Sequence, residues 1–168
     1  MFESVYASQV SVACFVGLLL AAAASDIIFY KIPNVIVLSI LLLYPVFVLV
    51  TPAEVDWLMG LAVFAGAIVF GMVLTATGVF GAGDAKLLAA VLLWAGPPLA
   101  PLALIICALV GGVLAIFMLT RARIIIAAAF SSLGSQTLSN AFLAKEMPYG
   151  VAIAAGGLFV AWVLATAV

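Results

Sequence analysis

Two of the six acidic residues in this 168-residue chain stand where a carboxylate is costly to keep. Asp26 lies within an apolar run, five positions before Lys31 and seven before Pro33. If Lys31 and Pro33 mark a membrane surface, Asp26 sits about 7 Å below it at roughly 1.5 Å per helical residue. An ionisable group at that depth is a functional residue by default. Asp84 closes Gly81-Ala82-Gly83-Asp84 and opens the next apolar stretch. Alone, it would read as a helix-opening acid favoured by the helix dipole. Two such acids on one face point instead to chemistry, because carboxylates within hydrogen-bond reach cannot both ionise and so share a proton. One can then take a proton from water while the other gives one to a carbonyl oxygen, which is amide hydrolysis. Asp84, at the positive end of its helix, is expected to be the base. Asp26, near the negative end of its own, is expected to carry the proton.

The remaining composition leaves few other routes. Histidine is absent, which excludes Ser-His and Cys-His catalysis and any imidazole site for zinc or iron. No metal and no cofactor are expected. Cys14 and Cys107 sit in apolar runs and read as small hydrophobes, and no CxxC pair occurs. Five Lys and Arg with a net charge of -1 offer nothing to nucleic acid. Ser25 with Lys31 or Lys86 is a conceivable nucleophile and base, but no motif supports it. A non-enzymatic membrane assembly protein and a small transporter stand as alternatives. A transporter would place its ionisable groups near the bilayer midplane rather than at one face.

What must position the two acids is a membrane bundle. The chain is 70% hydrophobic and 7% charged, against roughly 45–50% and about 25% in soluble domains. Apolar stretches run over about 9–28, 34–50, 57–78, 85–96, 98–119 and 149–167. At about 20 residues per crossing, this predicts an all-α polytopic bundle of about six transmembrane helices, a single domain over 1–168. Gly60, Gly66 and Gly71 in the third helix, and Gly150, Gly156 and Gly157 in the last, predict close helix contacts. Gly96-Pro97-Pro98 forces a break after a short fourth helix, which starts below the membrane surface or tilts. Lys31, Lys86, Arg121, Arg123 and Lys145 all fall on one side, so the positive-inside rule predicts both termini outside, with Glu3, Glu54 and Asp56. The first span has no basic flank and is expected to be retained. Residues 120–147 mix Ile124, Ile125, Ile126 and Phe130 with Ser131, Ser132, Ser135, Gln136 and Asn140, and read as an interfacial amphipathic helix or a surface linker.

Three segments carry a resemblance. Asp26-Ile27-Ile28-Phe29-Tyr30-Lys31-Ile32-Pro33-Asn34 resembles the first-aspartate motif of the type IV prepilin peptidases, and Gly81-Ala82-Gly83-Asp84-Ala85-Lys86 resembles their GxGD motif. Pro148-Tyr149-Gly150 is similar to a further segment of the same family. The resemblance implies an aspartic endopeptidase of the bacterial inner membrane that removes prepilin leaders at the cytoplasmic face, with Asp26 and Asp84 at the catalytic positions. Its partners would be prepilin and the lipid bilayer. Lacking the cysteine-rich insert of the larger, methylating members, the chain looks more like the compact peptidases of Flp-type, tight-adherence pili than like those members.

Nearby residues carry lesser expectations. Pro33 and Asn34 end one helix and cap the next. Gly81 and Gly83 allow backbone to approach substrate. Lys86 orients a carboxylate or meets lipid headgroups. Glu146, beside Lys145 on the last connection, has no motif around it and is expected to be dispensable.

Overall fold

Six helices form among the described residues of this computed structural model, which are 2–78, 80–120, 122–132, 134 and 147–167. They are α1 (Phe2–Phe29), α2 (Asn34–Val50), α3 (Trp57–Ala76), α4 (Ala82–Leu119), α5 (Ala122–Ser132) and α6 (Tyr149–Ala167). Four of them, α1, α3, α4 and α6, are long and apolar enough to cross a membrane, while α2 has 17 residues. Arg121, Ser135, Gln136, Asn140, Lys145 and Glu146 lie outside the described residues. Of the 120–147 connection, α5 is the part described, a helix with Ala127 buried.

The breaks follow from local chemistry. Tyr30 takes a left-handed φ of 50°, and its amide donates to the Asp26 carbonyl at 2.9 Å, which closes α1. The Ser25 hydroxyl then donates to the Lys31 carbonyl at 2.7 Å. The chain therefore folds back at once, and Lys31 lies level with Ser25 rather than a further turn along the axis. This corrects the depth expected for Asp26, because that estimate ran the helix on to Lys31. Pro33 (φ -61°, ψ 133°) is the N-cap of α2 and provides no side-chain acceptor. Asn34 is already helical, so the expected Asn34 cap is absent.

The predicted break at Gly96 is present, with a left-handed φ of 58° that a side chain would resist. It divides α4 into arms 82–95 and 97–119 that run back along each other, since Leu88 and Leu104, eight residues either side of Gly96, line the same groove. The first arm is about 21 Å long and the second about 34 Å at 1.5 Å per residue, so Asp84 starts well short of the level where the second arm ends. The described residues thus run along the bundle in six stretches, α1, α2, α3, the two arms of α4 and α6. Residues 26–32, 81–84 and 147 meet at one end, and residues 51–56, 94–99 and 163–167 at the other.

The first arm is the axis of this bundle, with Ala85, Leu87 and every residue from Ala89 to Ala95 buried. In a bilayer such packing rests on close contact rather than on escape from water, because lipid is as apolar as the core. Bare glycines provide that contact. A Cβ on Gly60 would lie 3.2 Å from the Leu93 carbonyl oxygen, and one on Gly71 would lie 2.8 Å from the Ala85 Cβ, seating α3 on the first arm. Gly157 lies against Leu19 and Val91, and Gly156 against Ala103, which sets α6 between α1 and both arms. Gly66 does not take part: it is exposed and a Cβ there would meet nothing within 4 Å, because it faces outward when Gly60 and Gly71 face the first arm.

Trp94 anchors the end opposite the two aspartates. Its ring stacks on Phe15 at 4.2 Å and on Phe47 at 5.1 Å, and its indole N–H donates to the Ile40 carbonyl of α2 at 3.2 Å. We expect Trp94→Ala to cost about 2–3 kcal/mol, the lower range for large-to-small core changes because the hydrophobic transfer part is missing in lipid. Trp162→Ala, at a residue 64% exposed, should leave stability unchanged. Thermal unfolding of both variants in detergent would check this contrast.

Candidate active site

Asp26 is the only acidic or basic side chain in the buried class among the described residues, at 5% exposure. It occupies the last turn of α1, where the helix's unpaired carbonyls repel a negative charge. The compensation comes from another element. Pro148 precedes the first turn of α6, and the Gly150 amide, one of the N–H groups that α6 cannot pair internally, donates to Asp26 Oδ2 at 2.7 Å. Such an approach requires a bare backbone. A Cβ on Gly150 would lie 2.8 Å from Asp26 Oδ2 and 2.9 Å from its Cβ.

Asp84 is half-buried at the third position of α4, after the N-cap Gly81. Its carboxylate folds back over that cap, so that a Cβ on Gly81 would lie 2.6 Å from Asp84 Oδ2. Gly81 therefore makes room for the carboxylate itself. Gly83 is helical, and a Cβ there would meet Ile32 at an ordinary 3.5 Å. The two glycines of the motif are unequal, a distinction their spacing does not reveal.

Both carboxylates face one cavity of about 300 Å³, lined also by Tyr30, Lys31, Ile32, Gly81, Ala82, Gly83 and Met147. Each also meets the N-terminus of a helix, Asp84 that of its own α4 and Asp26 that of α6. Helix position therefore no longer separates acid from base, and the expectation that Asp26 holds the proton loses its premise.

Of the other residues singled out, Gly150 touches Asp26, and Pro148 and Tyr149 form the lead into α6 beside it. Pro33 and Lys86 do not line the cavity. Lys86 Nζ donates to Asn34 Oδ1 at 3.2 Å and ties α4 to the start of α2. Ser25, the conceivable nucleophile, has its hydroxyl committed to the Lys31 carbonyl. Tyr30, Ile32 and Met147 were not anticipated. The signal for the first two was their place inside the first motif, in the turn directly after Asp26, and for Met147 its place before Pro148.

The glycine geometry makes two expectations distinct. Gly81→Ala should lower activity by on the order of 100-fold, the cost of displacing a reacting group by about 1 Å, while thermal stability holds because only the end of one side chain must move. Gly83→Ala should stay near the wild-type rate. Gly150→Ala should lose both activity and thermal stability, since α1 and α6 must separate. Steady-state kinetics and thermal melts of the three variants would check the order.

Neither a curated protein nor a solved structure matches the chain. The family model described as the type IV leader peptidase family matches residues 13–116, more than half of the chain and a span that contains Asp26, the Tyr30-Lys31-Ile32 turn and the Gly81–Asp84 cap. Pro148-Tyr149-Gly150 lies beyond it. With two carboxylates in one cavity and that match around both of them, this membrane protein belongs to the type IV leader peptidase family, the aspartic endopeptidases that cleave leader peptides from prepilins.

Proposed function

We propose that Asp26 and Asp84 are the catalytic pair of this peptidase, and that they hydrolyse the bond between a prepilin's leader and its mature apolar segment at the cytoplasmic face of the bacterial inner membrane. The observation that carries this reading is the single cavity receiving both carboxylates beside the glycine cap. A water held between the carboxylates gives a proton to the ionised one as its oxygen attacks the scissile carbonyl. The protonated partner gives its proton to the carbonyl oxygen. When the tetrahedral intermediate collapses, the C–N bond breaks and the departing amine takes a proton from the pair. Asp26, held by the Gly150 amide, is the fixed member. Asp84, on the end of an arm with only Gly81 beneath it, has the freer carboxylate.

The charge distribution supports the orientation. Lys31 lines the cavity and Lys86 follows Asp84 by two residues, while Glu54 and Asp56 lie at the other end. The positive-inside rule then puts the cavity on the cytoplasmic side and both termini outside, with the six stretches as six spans. A site at that edge suits the reaction, because a substrate helix must unwind to expose its backbone and can do so at lower cost near water than at the midplane. The absence of any CxxC pair supports the compact, tight-adherence type of peptidase without methyl transfer.

Asp26→Asn and Asp84→Asn should each slow prepilin cleavage by on the order of 10³-fold or more while membrane insertion persists. Glu146→Gln should cleave normally. Turnover by purified variants would decide, and a loss at Glu146 as deep as at Asp26 would mean a different pair. In a background with Cys14 and Cys107 replaced by Ala, Glu54→Cys should react with an impermeant maleimide added to intact cells, and Lys31→Cys should react only after the inner membrane is opened.

A further inference from the structure

A groove of about 410 Å³ runs between the two arms of α4 and the start of α6, directly below the cavity that holds the carboxylates. The two spaces adjoin, since Met147 lines both. At the cavity end stand Phe80 and Tyr149, their rings edge to face at 5.8 Å. From there the groove follows the second arm along Gly112, Ala108 and Leu104, residues four apart and so on one face, over about 12 Å. All three are exposed, and a Cβ on Gly112 would meet nothing within 4 Å.

Resting on the peptidase reading above, we infer that this groove is the docking site for the apolar helix of the prepilin, the part that follows the scissile bond. The order of the chain fits the order of the surfaces. A substrate with its leader at the cytoplasmic surface passes its unwound segment through the cavity, and the residues after that segment must be helical again, because unpaired amides are not tolerated in lipid. They emerge at Met147, where the groove begins. Helices in a bilayer associate by close packing, and small residues such as Ala108 and Gly112 let a partner backbone approach.

The other apolar spaces do not meet these conditions. The larger one between α2 and α3, about 570 Å³, is floored by Leu93 near the opposite end and shares no residue with the cavity. The space beside Ile27 and Phe117 adjoins the cavity at Tyr30 but holds only about 110 Å³, too little for a helix.

The test compares two synthetic prepilin peptides with the same basic leader and scissile bond, one continuing into an apolar helix of about 20 residues and one ending before it. Ala108→Leu and Gly112→Leu fill the groove without touching the cavity. They should raise KM for the long peptide by about tenfold or more with kcat little changed, and leave the short peptide unaffected. Leu109→Phe, on the outward face of the same arm at 66% exposure, should cleave both normally. As a second readout that needs no turnover, a benzophenone side chain at position 104 in Asp84→Asn protein should crosslink the long peptide, and one at position 109 should not. Normal KM for the long peptide in both groove variants, equal loss for both peptides, or crosslinks from position 104 to lipid alone would overturn the groove. Wild-type protein that cleaves neither peptide would instead overturn the peptidase reading beneath it.

Discussion

Asp26 is buried at the wrong end of its own helix, and a carboxylate so placed needs a donor that α1 cannot provide. The Gly150 amide at 2.7 Å is that donor. Its position constrains much of the molecule, because an N–H with no intrahelical partner exists only in the first turn of a helix. That turn must therefore lie against the last turn of α1. From this junction α6 runs back between α1 and the arms of α4, and Gly156 and Gly157 are bare for the same reason as Gly150: each lies where a neighbouring helix leaves no space for a Cβ. Holding the Asp26 carboxylate and seating one helix are the same structural act.

The second carboxylate is placed by a length difference. A hairpin whose first arm is about 13 Å shorter than its second starts inside the bundle, and whatever stands at its N-terminus is recessed from the surface. Asp84 is three residues into that arm. Gly81 gives it the space to turn back toward the cavity, and Gly71 and Gly60 hold the arm against α3. The Gly96 break thus helps to place Asp84 although it lies at the far end. Without the reversal there, the short arm would have no reason to end where Asp26 is.

A polar cavity at one end of an otherwise apolar bundle also explains the distribution of grooves. Lipid provides no hydrophobic drive for helices to close every gap, so spaces persist beside the small-residue contacts that hold the helices together. The α2–α3 space and the groove below the carboxylates are both of this kind. They differ in that the second adjoins the cavity of the two carboxylates at Met147, the position that the proposed docking of a membrane-embedded chain requires.

Much of this was legible in the residues alone. Composition and the lengths of the apolar runs determined a helical membrane bundle, since of the two folds that satisfy every backbone amide in lipid, helices and closed β-barrels, only helices use uninterrupted apolar runs of about 20 residues. Gly96-Pro97-Pro98 determined the break in α4, and the two motifs named Asp26 and Asp84, because an ionisable group in such a setting needs a reason. The basic residues of the two motifs lie at the Asp end, as their charge pattern implied. What the sequence could not express is contact between distant segments. That Gly150 serves Asp26 across 124 positions, that Gly81 clears space for Asp84 while Gly83 does not, that Lys86 joins Asn34, and that Gly66 faces outward are outcomes of helix rotation and register. Period and spacing leave a helix free to turn about its axis and slide along its neighbour. Only packing, in which one missing Cβ decides how closely two backbones approach, removes that freedom.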